Sequence, residues 1–222
     1  MRIAIITGVE EEAAAFRPGA YERVEQHGHL SIRFLEHEGH AIAISCCGVG
    51  KVNAATAATM LATLHHAELL MIIGTAGRLS DKAGDCFLLA EAVQGDYGAQ
   101  RPQGFTHYSA GSWPIGPASV EAFRAHPLPD IGLPKARIVT GDAFIECPDH
   151  SLRLRDGLSG DLVDMETGAL AQVAHRLGLR WAGIKAVTDD ANGQSVGDFQ
   201  ANLLLAARRA AEAAERAIAL LP

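Results

Sequence analysis

The chain has 222 residues, of which 48% are hydrophobic and 20% are charged, and this is the composition of a folded globular protein. Its length favours one α/β domain over residues 1–222 rather than two small domains. The net charge of −7, from 19 basic and 26 acidic residues, argues against broad binding to nucleic acid or to anionic membranes. No apolar run reaches membrane-spanning length and the acidic N-terminal segment is unlike a signal peptide, so we expect a cytoplasmic protein.

The N-terminal segment predicts a strand, a turn and a helix. Ile3 to Thr7 is an apolar run of strand length, Gly8 turns the chain, and Glu10-Glu11-Glu12 opens a helix through Phe16. Three acids at a helix start usually complement the helix dipole on a solvated face. Here they also follow a strand, so one of them could point inward toward a site.

A hairpin and a glycine loop follow. Alternation over Leu30 to Phe34 predicts a half-buried strand, which pairs with the apolar strand Ala41 to Cys47. We expect the adjacent Cys46 and Cys47 to be core thiols rather than a disulfide or a zinc pair. The next residues, GVGK from Gly48 to Lys51, precede a helix to about Leu64, and they fit either a phosphate cradle or a tight turn.

The middle of the chain predicts two more strands and a long loop. Leu69 to Ile73 is a buried strand that ends in a loop of small residues, GTAG, and Phe87 to Ala92 is another strand. Residues 94–115 are polar and rich in Gly and Pro, so they predict a long loop that binds a ligand or a partner, or packs back on its own subunit. Its aromatics include Phe105, Tyr108 and Trp113. Residues 117–125 predict a short helix.

The C-terminal half brings two acids to one predicted edge. An apolar face through Leu170 and Leu177 predicts a helix that ends at Gly178, and the next strand runs from Trp181 to Val187. If the pair is a parallel crossover, Glu166 and Asp189 meet at the carboxyl edge of the sheet, where such sheets bind ligands. Considered one at a time, the two acids also fit purely structural roles, Glu166 as a helix-capping residue and Asp189 as a turn residue.

The remaining elements complete the predicted fold. Arg137 to Thr140 is a strand, and Phe144 after it could stack on a flat ligand or belong to the core. Phe199 to Leu220 marks a closing helix. The ten histidines show no metal-binding spacing, and His27 and His29 lie in polar, turn-like sequence, so we expect no metal. The predicted fold class is an α/β three-layer sandwich, a central mixed sheet flanked by helices.

Six segments together resemble the purine nucleoside phosphorylase and nucleosidase superfamily, and within it the methylthioadenosine/S-adenosylhomocysteine nucleosidases. In chain order the segments are IAIITGVEEEAAAF, GVGKVNAA, GTAG, TGDAFI, VDMETGALAQVA and KAVTDDA. The resemblance covers most of the chain. The specific parts of the resemblance are VDMET and the occurrence of TGDAF together with the downstream TDDA. It implies a nucleosidase that cleaves the N-glycosidic bond of adenine nucleosides, without a cofactor, as a homodimer.

The resemblance also implies a role for eight residues. Glu12 resembles the acid that activates the attacking water, and Asp189 the acid that protonates the purine at N7. Five others match positions at the substrate: Met165 and Glu166 at the ribose, Phe144 stacked on the purine, and Thr75 and Gly77 near the ribose and water. The backbone of Ile145 matches the group that reads the purine edge.

Cleavage of an N-glycosidic bond requires an acid for the leaving base and negative charge near the ribose. Adenine leaves poorly as an anion, and protonation at N7 lets it leave neutral while nearby carboxylates stabilise the oxocarbenium character of the ribose. Glu12 must then be ionised when Asp189 is protonated, a common arrangement in glycosyl transfer.

The chain departs from the nucleosidase pattern at three places. Lys185 stands where the nucleosidases have Arg, Thr75 replaces the usual Ser, and the 94–115 loop differs from the segment that closes over the distal end of the substrate. The alternatives are a futalosine hydrolase, a phosphorylase and a non-catalytic nucleoside-binding protein. The segment TGVEEE lacks the Arg that phosphorylases carry there, and its acids would repel phosphate.

Overall fold

The computed structural model describes residues 1–222, which fold around one ten-stranded mixed sheet. The strands are β1 (Arg2–Thr7), β2 (Arg23–His27), β3 (Leu30–His37), β4 (His40–Cys46), β5 (Leu69–Arg78), β6 (Cys86–Gln94), β9 (Phe123–Arg124), β10 (Lys135–Thr140), β11 (Leu162–Asp164) and β12 (Arg180–Asp189). A separate hairpin is formed by β7 (Gly98–Arg101) and β8 (Gly104–His107). The helices are α1 (Glu10–Ala15), α2 (Lys51–Leu64), α3 (Pro148–Leu158), α4 (Thr167–Leu177) and α5 (Ser195–Ala219).

Helices cover both faces of the sheet, which confirms the predicted three-layer α/β sandwich. One core cluster packs apolar residues of α1 and α5 against the sheet, and a second packs those of α2 and α4 against its other face. Strands buried on both faces are nearly continuous apolar runs, as in Ile3 to Ile6 and Leu69 to Ile73. No helix combines the length and the apolar character that crossing a membrane requires.

The sheet order is β11-β10-β6-β12-β5-β1-β4-β3-β2, and β11 also pairs with β5. The five strands β11, β10, β6, β12 and β5 therefore form a closed ring, whereas β2 lies at the free edge of the sheet. Because β12 runs parallel to β5 and β11 runs antiparallel to it, the unit β11–α4–β12 is not the parallel crossover that the sequence predicted. Its helix nevertheless starts beside the end of β12, so Glu166 and Asp189 reach the same cavity.

Several local predictions were wrong. The GTAG segment is not a loop but continues β5, because β12 and β11 supply hydrogen-bonding partners along it. Residues 117–125 form no helix. Phe123 and Arg124 pair with β6 instead, since a helix of about two turns has little stability of its own. A strand, β2, precedes the predicted hairpin and ends at His27, which the sequence had placed in a turn.

The 94–115 segment is more ordered than the predicted loop. It contains the β7–β8 hairpin, and Tyr108 is buried, with its hydroxyl donating to the carbonyl of Gly116 at 2.7 Å and accepting from Arg101 at 2.8 Å. Phe105 and Trp113 are exposed. One of the three aromatics therefore packs back on its own chain, and two remain on the surface.

Cys46 and Cys47 are free and half-buried, so neither is as deep in the core as the sequence predicted. Burial, together with the nearby carboxylate of Glu166, raises the pKa of Cys47 to about 12. The thiol is therefore protonated at neutral pH and is a poor nucleophile.

Candidate active site

All eight residues that the resemblance singled out line one cavity of about 510 Å³. They are Glu12, Thr75, Gly77, Phe144, Ile145, Met165, Glu166 and Asp189. They come from the loop and helix after β1, from β5, from the segment after β10, from the start of α4 and from the end of β12. These elements are far apart in the chain, and the sheet brings their ends together.

Glu12 is the inward-facing member of the three N-terminal acids. Glu10 pairs with Arg33 on the surface and Glu11 is exposed. The Oε2 atom of Glu12 accepts from the backbone N–H groups of Gly8 at 2.9 Å and Val9 at 3.2 Å. The turn after β1 therefore aims Glu12 into the cavity and holds it there.

The other oxygen of Glu12 binds Thr75. Its Oε1 atom accepts from the Thr75 N–H at 2.7 Å and from the Thr75 hydroxyl at 2.8 Å. All four partners of the carboxylate are donors, so Glu12 is held as an acceptor. A Cβ at Gly74 would lie 2.5 Å from Cδ of Glu12, and Gly74 has φ +150, so this close approach requires glycine.

Asp189 is anchored at the end of β12. Its Oδ2 accepts from the Thr188 hydroxyl at 2.8 Å and its Oδ1 from the backbone N–H of Ala191 at 3.0 Å. A Cβ at Gly77 would lie 3.1 Å from Oδ1, so the small residue leaves room for the carboxyl group. Asp189 is 6% exposed, and the exposed part faces the cavity.

Glu166 precedes the first turn of α4 and is held from the glycine loop. Its Oε1 accepts from the backbone N–H of Gly50 at 2.9 Å. The next N–H, that of Lys51, donates to Oδ1 of Asp142 at 2.8 Å. Because carboxylates of the chain occupy both amides, the structure supports the tight turn over the phosphate cradle at GVGK.

Lys185 supplies the positive charge beneath the site. Its Nζ lies 3.0 Å from Oδ2 of Asp164 and 4.0 Å from Oε2 of Glu166, and its side chain is fully buried. The ammonium group makes no hydrogen bond of good geometry. Its charge is balanced by the ion pairs with Asp164 and Glu166. Burial disfavours the charged lysine, but Asp164, Glu12 and Glu166 outweigh it and raise its pKa.

For Glu166, burial is the largest influence on the pKa. It raises the pKa of Glu166 to about 7, although the charge of Lys185 works in the other direction. Lys185 lies closer to Asp164 than to Glu166, so its positive charge stabilises the carboxylate of Asp164 more strongly. Asp164 accepts from the Thr140 hydroxyl at 2.6 Å and from the Thr167 N–H at 3.1 Å. Asp164 was not predicted as a site residue, although it stands two residues before Glu166 in the VDMET segment.

Apolar side chains form much of the remaining wall. Phe144 is half exposed at the cavity, and its ring meets that of Phe199 edge to face, with centroids 5.9 Å apart. The wall also contains residues that were not predicted from the sequence, among them Val9, Val49, Val163, Val196 and Gln200, and Phe199 was predicted only as part of the closing helix. Val196, Phe199 and Gln200 are three and four residues apart on α5. That spacing was the available signal for one helical face.

The chain is similar to known proteins over nearly its whole length. The model of the family described as the phosphorylase superfamily matches residues 2–219. The chain belongs to the phosphorylase superfamily. Within this superfamily, a 5'-methylthioadenosine/S-adenosylhomocysteine nucleosidase of Anoxybacillus flavithermus is 32% identical over 226 residues, covering 96% of this chain and 95% of the relative.

Two solved structures share the fold of this chain. The S. pneumoniae 5'-methylthioadenosine/S-adenosylhomocysteine nucleosidase with a transition-state inhibitor has a TM-score of 0.86 at 22% identity, covering 100% of both chains. A futalosine hydrolase mutant of Helicobacter pylori has a TM-score of 0.84 at 17% identity, again covering 100% of both chains. Fold alone therefore does not separate these two activities.

Proposed function

We propose that this protein hydrolyses the N-glycosidic bond of an adenine nucleoside with an apolar 5′ substituent, such as methylthioadenosine, and releases adenine. The observation that carries the proposal is the placement of Glu12 and Asp189 in one cavity with different surroundings. Glu12 accepts four hydrogen bonds from fixed donors, whereas Asp189 accepts two and faces the cavity. A binding protein has no need for such an acid and base pair.

Asp189 would act as the general acid. Its proton passes to N7 of the purine as the bond between C1′ and N9 breaks, and the bonding electrons leave with the neutral base. The ring of Phe144 would stack on the purine, and the backbone of Ile145 would hydrogen-bond its edge. Both residues line the cavity on the segment that follows β10.

Glu12 would act as the base. A water bound to its carboxylate attacks C1′ of the oxocarbenium-like ribose and passes one proton to Glu12. Glu166 would accept hydrogen bonds from the ribose hydroxyls, with Met165 packed against the sugar. The negative charge of this acidic cavity also stabilises the positive charge that develops on the ribose.

The charge of the cavity favours water over phosphate as the attacking group. Glu12, Asp164, Glu166 and Asp189 line it, and Lys185 alone among basic residues lies against them, already paired. A phosphate ion would be repelled, and the amide of Gly50 at GVGK, where it could have bound, already holds Glu166.

The apolar wall favours an apolar 5′ substituent. Val9, Val49, Val196 and Phe199 provide no charged group that could pair with the amino and carboxylate groups of a homocysteine tail. We therefore expect a preference for methylthioadenosine over S-adenosylhomocysteine.

The test is to incubate the protein with methylthioadenosine, first without and then with inorganic phosphate, and to measure free adenine and the sugar product. We expect adenine and free methylthioribose in both cases. A sugar phosphate formed only with phosphate would establish a phosphorylase. Cleavage of futalosine but not of methylthioadenosine would establish the alternative hydrolase, and no cleavage of either would leave a binding protein.

We also propose a homodimer in which the neighbouring subunit covers the mouth of the cavity. Val49, Phe144 and Val196 are between 44% and 49% exposed there, an apolar rim that water covers poorly. No residue of 94–115 lines the cavity of its own chain, so an effect of this loop on the 5′ group would come through the partner. Sedimentation at micromolar concentration should show a dimer. Phe105→Ala should change discrimination among 5′ groups more than cleavage of adenosine, and a monomer with unchanged discrimination would refute the proposal.

A further inference from the structure

We propose that Glu25, His27 and His65 form a binding site for one zinc ion, outside the cavity described above. Glu25 and His27 are two residues apart on β2, so both side chains project from the same face of the strand. His65 caps the C-terminal end of α2. None of the three lines the cavity that holds Glu12 and Asp189.

The three possible ligand atoms converge. All lie within 4.8 Å of one another. The Oε2 atom of Glu25 is 3.3 Å from Nε2 of His27 and 3.9 Å from Nε2 of His65. Zinc–nitrogen bonds of about 2.0–2.1 Å in a tetrahedral site place ligand atoms roughly 3.4 Å apart, so a small inward movement suffices.

His65 offers a ring nitrogen that lacks a partner in the fold. Its Nε2 is buried and has no hydrogen-bond partner, which is costly for a polar atom unless something else binds it. Its ring stands at 78° to the ring of His27, with centroids 5.9 Å apart.

Glu25 is oriented by a neighbour. Arg23 binds the Oε1 atom of Glu25, and its guanidinium lies over the ring of Phe34, 4.1 Å from the centroid. This arrangement leaves Oε2 directed toward the two histidines, as a fixed second contact does in many metal sites. The positive charge of Arg23 opposes a cation, so the affinity should be lower than in a site with only neutral or acidic neighbours.

The chemistry of the set points to zinc. Two imidazole nitrogens and one carboxylate oxygen suit borderline divalent ions, and three protein ligands leave a fourth position for water. Magnesium and calcium prefer oxygen ligands only. A bound ion would tie the edge strand β2 to the end of α2. It would therefore stabilise the fold without taking part in the proposed hydrolysis.

The experiment uses untagged full-length protein, freed of metal with a chelator, and titrates it with zinc sulfate by calorimetry. We expect one site. The melting temperature should rise by roughly 5 °C or more at zinc concentrations about 100 times Kd. Cobalt(II) in place of zinc should give the visible absorption bands of a four-coordinate ion.

Variants decide where the ion binds. His27→Ala, His65→Ala and Glu25→Gln should each weaken zinc binding by roughly tenfold or more. Glu25→Gln keeps the shape of the side chain and guards against a variant that fails to fold. His29→Ala and His66→Ala change exposed histidines close in sequence and should bind zinc normally. Absence of binding, or equal loss in all five variants, would overturn the proposal.

Discussion

Thr75 binds one oxygen of Glu12 with both of its donors, the backbone N–H at 2.7 Å and the hydroxyl at 2.8 Å. Because Gly8 and Val9 hold the other oxygen, the carboxylate has a single orientation. The cost of burying this charge is offset by four fixed donors. The orientation of Glu12 therefore depends on the turn before α1 and on Thr75 of β5, which is 63 residues from Glu12 in the chain.

Thr75→Val should lower kcat by roughly tenfold, because it removes the hydroxyl donor and leaves the backbone donor and the side-chain shape. Steady-state kinetics with methylthioadenosine would measure the effect. Thr75→Ser is the matched control, since it retains the hydroxyl, and it should stay close to the parent. Equal losses in both variants would show that the methyl group matters rather than the hydrogen bond.

Asp189→Asn should reduce kcat by about 10²–10⁴-fold while substrate binding stays measurable, because the amide cannot give a proton to N7. Asp190→Asn is the control. Asp190 is the adjacent acid, it lies 3.5 Å from Arg78 on the surface and it does not line the cavity. Near-normal turnover in Asp189→Asn would remove this residue from the mechanism.

Lys185→Met should destabilise the fold by about 3–5 kcal/mol, because it leaves the buried carboxylates of Asp164 and Glu166 without their positive charge. Urea denaturation would measure this loss in the free energy of unfolding. Lys82→Met removes a lysine whose ion pair with Asp161 lies near the surface, and it should cost less than about 1 kcal/mol. A similar loss in the free energy of unfolding in the two variants would contradict the expectation that breaking the buried ion pair costs more than breaking the exposed one.

Glu166 makes the stability of the fold depend on pH. Its pKa is about 7 in the folded chain, against an ordinary value of 4.5, so the folded state binds more protons than the unfolded state between these values. Stability from this group is therefore present below about pH 4.5 and is lost as the pH rises to 7. The full shift corresponds to about 3 kcal/mol.

Glu166→Gln removes this titration. The free energy of unfolding of the parent, relative to that of Glu166→Gln, should therefore fall between about pH 4.5 and pH 8 by up to about 3 kcal/mol. Urea denaturation of both proteins at the two pH values tests this. A constant difference would contradict it. The same variant should also weaken nucleoside binding and turnover, because the amide is a poorer acceptor for the ribose hydroxyls.

The sequence by itself determined the fold class, most strands and helices, and eight of the residues that line the cavity. Strands such as Leu69 to Ile73 carry their signal locally, because a strand buried on both faces is apolar throughout. The eight predicted residues stand at or near the ends of such elements, in motifs that resemble a family. The helix α4 ends at Gly178, as predicted, and this glycine has the left-handed conformation.

Only the tertiary structure decided which groups meet. The structure shows that Glu12 is the acid that points inward. It also shows contacts between residues distant in the chain, such as the hydrogen bond from the Gly50 amide to Glu166 and the ion pair of Lys185 with Asp164. Local periodicity carries no information about such partners. The same reason explains the errors at GTAG and at residues 117–125, where pairing with neighbouring strands overrode local preference. It also explains why the sequence did not indicate the proposed zinc ligands Glu25, His27 and His65, because the fold brings the end of α2 against β2.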